Sequence, residues 1–80
     1  MQYHIYHAVK PIFEAVESQP RQYVGYVEAD TLNEAFALSQ NFDKSWNPYN
    51  PCRSTSVGDV IHATDGFHLV CGNGFKKLEY

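Results

Sequence analysis

Four histidines (His4, His7, His62, His68), two cysteines (Cys52, Cys71) and the polar run Arg53-Ser54-Thr55-Ser56, just ahead of Asp59, are the residues best suited to chemistry. Imidazole and thiolate are the usual zinc ligands. Their spacing does not gather them. His4 and His7 are an odd number of residues apart, so on a regular strand they face opposite ways. His62 and His68 fall on opposite faces of the hairpin argued below. His62 and Cys71 share a face, which makes at most a partial site. No metal ligands and no cofactor are therefore assigned.

Nucleophilic catalysis could be assembled from Cys52 or Cys71 with a histidine, or from Ser54 or Ser56 with a histidine and Asp59. Such a nucleophile needs a base within about 3 Å and a third group to orient it. No G-x-S-x-G signature is present, and Cys71 sits in an apolar run, as a small buried hydrophobe does. Gly72-Asn73-Gly74 lacks the Lys-Ser/Thr of a phosphate loop and reads as a turn. The chain is not read as an enzyme, and no catalytic residue is assigned.

Two binding readings remain open. Arg53 with the hydroxyls of Ser54, Thr55 and Ser56 could hold a phosphate or carboxylate, with Lys76-Lys77 adding positive charge. In the structural alternative the hydroxyls bond nearby backbone and shape the turn into Val57. Gly58-Asp59 then leads into a hairpin, and Arg53 pairs with Asp59 or caps a helix C-terminus. Trp46 and Tyr49 stand in otherwise loop-like sequence, where they would close over one end of the core or form an exposed aromatic contact. Candidate binding residues are thus Trp46, Tyr49, Arg53, Ser54 and Ser56.

The elements that must position these residues follow from periodicity. Residues 2 to 9 alternate as a strand, with Tyr3, Ile5, His7 and Val9 toward the core and Pro11 closing it. Pro11 and Pro20 bracket residues 12 to 19, which fit a short helix or a loop. Residues 22 to 29 form a second strand, with Tyr23, Gly25, Val27 and Ala29 on one side and Val24, Tyr26 and Glu28 on the other. Gly25 marks a bulge or a close backbone approach. Thr31-Leu32-Asn33-Glu34 is a capping box, and Leu32, Ala35, Phe36, Leu38, Ser39 and Phe42 make the apolar stripe of a helix over 32 to 42. Two Asn-Pro pairs make 43 to 52 a loop. Asp65-Gly66 suits a two-residue turn between 60–64 and 67–71, pairing Thr64 with Phe67, His62 with Leu69 and Val60 with Cys71. Val60, His62, Phe67, Leu69 and Cys71 then share one face, and Ile61, Ala63, His68 and Val70 the other. A last strand runs from 75 to 80.

Eighty residues make one domain, near the lower limit of what folds unaided. A net charge of −3 supplies no basic stripe for a phosphate backbone, which argues against nucleic acid as a partner despite twelve aromatic residues. No signal-peptide pattern opens the chain and no apolar run nears the ~20 residues of a membrane helix, so the expected location is cytoplasmic and away from membranes. The fold expected is α+β: a small, mainly antiparallel sheet of four to five strands with the 32 to 42 helix packed on one face. The other face needs a cover: a loop, a second copy in a homodimer, or a partner.

The stretch Arg53-Ser54-Thr55-Ser56-Val57-Gly58-Asp59-Val60-Ile61, with Asp65-Gly66 and Gly74-Phe75 after it and the 27 to 38 stretch before it, resembles small proteins of bacteriophages, notably of cyanophage-like genomes, and of other mobile elements. A related pattern occurs in YodL-like domains. The resemblance covers roughly residues 24 to 77 and carries no assigned functional residue. It implies a non-enzymatic accessory protein that meets a host or phage protein.

Overall fold

The computed structural model describes residues 1–10, 14–40 and 53–78. Five strands and one helix follow in the order β1 (Gln2–Ala8), β2 (Arg21–Glu28), α1 (Leu32–Leu38), β3 (Val60–Ala63), β4 (Gly66–Cys71) and β5 (Gly74–Lys77). The strands form one antiparallel sheet, ordered β2-β1-β3-β4-β5. The chain is mostly sheet, with one short helix.

Alternation along the strands divides the apolar residues between two faces. Tyr3 and Ile5 of β1, Val27 of β2, Ile61 and Ala63 of β3 and Val70 of β4 are buried in one cluster with Ala29 and Ala35. Leu32, Phe36 and Leu38 of α1 and Phe75 of β5 pack against it. On the opposite face Val60, Leu69 and Leu78 form a second, smaller cluster, bordered by Tyr6, Phe67 and Cys71. Each large apolar side chain so buried contributes about 1.5–3 kcal/mol relative to exposure.

The helix and its flanks differ in detail from those expected. α1 ends at Leu38 rather than at 42, where the Ser39 N–H donates to both the Ala35 and Phe36 carbonyls. The Ser39 carbonyl then accepts from Thr55 N–H, and the Gln40 amide donates to Phe36 O and Thr55 O, so the polar run docks where the helix stops. The capping box is offset on one arm: Thr31 Oγ1 accepts from Glu34 N–H, but Glu34 Oε1 accepts from Asp30 N–H rather than from Thr31. Residues 14–19, the described part of the segment bracketed by Pro11 and Pro20, contain no helix, in keeping with the loop of the two readings.

The hairpin register is the main correction. Val60 pairs with Leu69, His62 with Phe67 and Ala63 with Gly66, which places the turn at Thr64-Asp65 instead of Asp65-Gly66. This register stacks the His62 ring on Phe67, with centroids 4.1 Å apart. It also lets Asp65 Oδ1 meet His68 Nε2 at 2.9 Å. The shift is two residues, one full strand period, so every side chain keeps the face that alternation assigned to it.

Candidate functional site

Two groups of side chains stand out, one polar and buried, the other aromatic and half-exposed.

The polar group is built by the 53–59 segment around the carboxylate of Asp59, which is fully buried. Both oxygens are used. Oδ1 accepts from Ala8 N–H at 2.8 Å and from Arg53 Nη2 at 2.6 Å. Oδ2 accepts from Ser56 N–H at 2.8 Å and from Arg53 Nη1 at 2.5 Å. A two-pronged guanidinium–carboxylate pair is the strongest form of this interaction. Ser56 and Asp59 also close a turn through Asp59 N–H to Ser56 O, with Gly58 at φ +96° as its third residue. Only glycine takes that position without strain. A side chain there would also meet the Glu14 carbonyl oxygen at 2.6 Å.

His7, at the end of β1, faces this group. Its Nε2 lies 2.9 Å from Thr55 Oγ1 and 3.9 Å from Asp59 Oδ2. Burial pushes the His7 imidazole below its ordinary value; Asp59 opposes that shift and Arg53 adds to it. The Asp59 carboxylate is on the same ring nitrogen as the threonine hydroxyl, not on the far nitrogen where a catalytic triad needs its orienting acid. The geometry ties β1 to the 53–59 segment.

Among the sequence candidates, Arg53 and Ser56 therefore meet at Asp59, and Arg53 Nη1 also donates to Ser54 O. Arg53 spends both prongs within the protein, which leaves the run a structural use for its charge. Trp46 and Tyr49 lie outside the described residues, as does Cys52. Among the described residues no group of three or more His, Cys, Asp or Glu side chains converges as a metal site. His7 and Thr55 were not singled out as a pair. The available signal was a histidine at a core-facing position of a strand, which must find a polar partner.

The aromatic group lies on the sheet face opposite the Tyr3–Ile5 cluster. β2 carries a bulge there: Ile5 pairs with Gly25 but Tyr6 with Tyr23, so Val24 is an extra residue. Its consequence is that Tyr23 and Tyr26, placed on opposite faces by strict alternation, both join the rings of β1. Tyr6 meets Tyr23 edge-on at 5.3 Å, and His4 lies 5.7 Å from Tyr23 and 6.0 Å from Tyr26. Phe67 continues the row at 6.0 Å from Tyr6, with His62 stacked on it. The rings form a continuous strip over four strands. All are at least partly solvent-accessible, and Tyr26 is 45% exposed.

No protein-family model matches the chain, and no curated protein and no solved structure matches it. Among the described residues no helix is long and apolar enough to cross a membrane.

Proposed function

We propose that this chain is a non-enzymatic accessory protein that works by occupying a surface of another protein, with the strip His4, Tyr6, Tyr23, Tyr26, His62 and Phe67 as its contact face. The strip carries the reading: six adjoining rings lie on one sheet face and keep solvent access. Tyrosine is enriched among residues that dominate binding energy, because it offers a large rigid apolar area with a polar tip. In this reading α1 covers one face of the sheet and the partner covers the other. A host protein as target, and a bacteriophage or mobile element as source, rest on the resemblance of the 53–61 stretch. The occupied prongs of Arg53 weigh against the anion-binding alternative.

The test is capture of partners from host lysate on the tagged chain, identified by mass spectrometry, then titration of the purified partner. Tyr26→Ala should weaken binding by about tenfold or more, while Asn33→Ala, on the exposed side of α1, should leave it unchanged. Failure to retain any partner under several conditions, or equal binding by Tyr26→Ala, would overturn the proposal. Chemical-shift changes on adding single-stranded DNA at low salt would favour nucleic acid instead.

A further inference from the structure

We propose that His4 and His62 form a two-histidine site for a borderline divalent cation such as zinc, on the β1–β3 seam. The inference is independent of the contact reading above, because it rests on a different property of the two rings.

His4 and His62 are directly opposed in the β1–β3 register and project from the same face. Side chains so placed start from Cβ atoms about 4.5–5.5 Å apart, and here the ring centroids are 6.2 Å apart. An ion held roughly 2.0–2.1 Å from each imidazole nitrogen sits about 3.2 Å from each ring centre, so two rings sharing it have centres up to about 6.4 Å apart. That limit is linear coordination; a tetrahedral angle brings the centres to about 5.2 Å. The rings must therefore close by about 1 Å from the observed separation, a movement within reach of side-chain rotation.

Two further observations fit a ligand pair. His4 Nδ1 lies 2.9 Å from the Tyr23 hydroxyl, which orients the ring and leaves Nε2 as its donor. Metal-bound histidines characteristically use their second nitrogen in this way. An open cleft of about 360 Å³ lies over the pair, lined by Gln2, His4, His62, Ala63 and Thr64. Gln2 and Thr64 border the cleft, and water would fill the ion's remaining positions. Strict face alternation treats His4 with His7 and His62 with His68, so the pair emerges only when β1 and β3 become neighbours across nearly sixty residues of chain.

Zinc chloride titrated into the ¹⁵N-labelled chain, followed through the imidazole nitrogen signals, tests the site. The ring signals of His4 and His62 should move together and saturate near one equivalent, while those of His7 and His68 stay in place. His4→Gln and His62→Gln should each weaken binding by at least about tenfold, and Tyr23→Phe by a smaller factor. Circular dichroism checks the fold of each variant, and His4→Gln leaves the His62–Phe67 stack intact should His62→Gln disturb it. Unmoved signals at about 1 mM zinc, shifts at His7 or His68 instead, or undiminished binding by both glutamine variants would overturn the proposal.

Discussion

Asp59 joins groups that are far apart in sequence, since the Ala8 amide it accepts from lies 51 residues earlier. Removing one partner of a buried ion pair leaves an uncompensated charge, typically a loss of 3–5 kcal/mol. Asp59→Ala should therefore lower unfolding free energy in urea by about that amount. Arg53→Met leaves the fully buried carboxylate with only its two backbone N–H donors and should cost a similar amount. The pair should be non-additive in a double-mutant cycle; simple additivity would show that the two residues act separately. His7 adds a pH dependence whose sign is set by its lowered pKa. Above the ordinary value of 6.5 the imidazole is largely neutral in both states, and its contribution is complete. Below that value the unfolded chain takes up the proton first, so stability falls with pH until the folded imidazole also titrates. The urea midpoint should drop between about pH 7 and 5, and His7→Gln, which can still bond Thr55, should flatten that slope. An unchanged slope would remove His7 from the account.

At the scale of elements, the turn at 56–59 is the most demanding piece of backbone. Gly58→Ala places a Cβ at φ +96° and within 2.6 Å of the Glu14 carbonyl oxygen. Strain of this kind costs about 1–3 kcal/mol before any clash. Gly72→Ala, in the β4–β5 turn with no heavy atom within 4 Å of the added carbon, should change stability by less than about 0.5 kcal/mol. Comparable losses in the two variants, read from thermal melts, would contradict the close approach. These elements also show what could be read in advance. The helix start at Thr31, the faces of the hairpin and the pairing of Arg53 with Asp59 were legible because each depends on residues within a few positions. The bulge was signalled by Gly25, but its effect on Tyr23 was not, since that requires the β1 register. The turn at Thr64-Asp65 was missed because Asp-Gly is the stronger local turn signal; the His62–Phe67 stack and the Asp65–His68 contact accompany the register found. The end of α1 was missed because its terminal carbonyls meet Thr55 N–H and the Gln40 amide through tertiary docking.

In the whole molecule, two local units meet along one seam. β1 with β2 is an antiparallel pair joined by a short segment, and β3-β4-β5 is a meander with two-residue turns. Between them lie the β1–β3 ladder, of three residue pairs, and the contacts of Asp59 and His7 beside it. Closing a loop of some fifty residues must precede those contacts, and its entropy is repaid only once the seam forms. The hairpin can form on its own timescale of microseconds, whereas a sheet dominated by distant pairings folds in roughly milliseconds to seconds. Val70 and Asp59 probe the two events: Val70 is buried in the meander and Asp59 on the seam. If the meander forms first and the seam closes after the barrier, Val70→Ala should mainly slow folding, whereas Asp59→Asn should mainly speed unfolding. Stopped-flow measurements across urea concentrations separate the two effects. A slower folding limb for Asp59→Asn, with an unchanged unfolding limb, would instead place seam closure at the barrier and make the Ala8–Asp59 contact part of the nucleus.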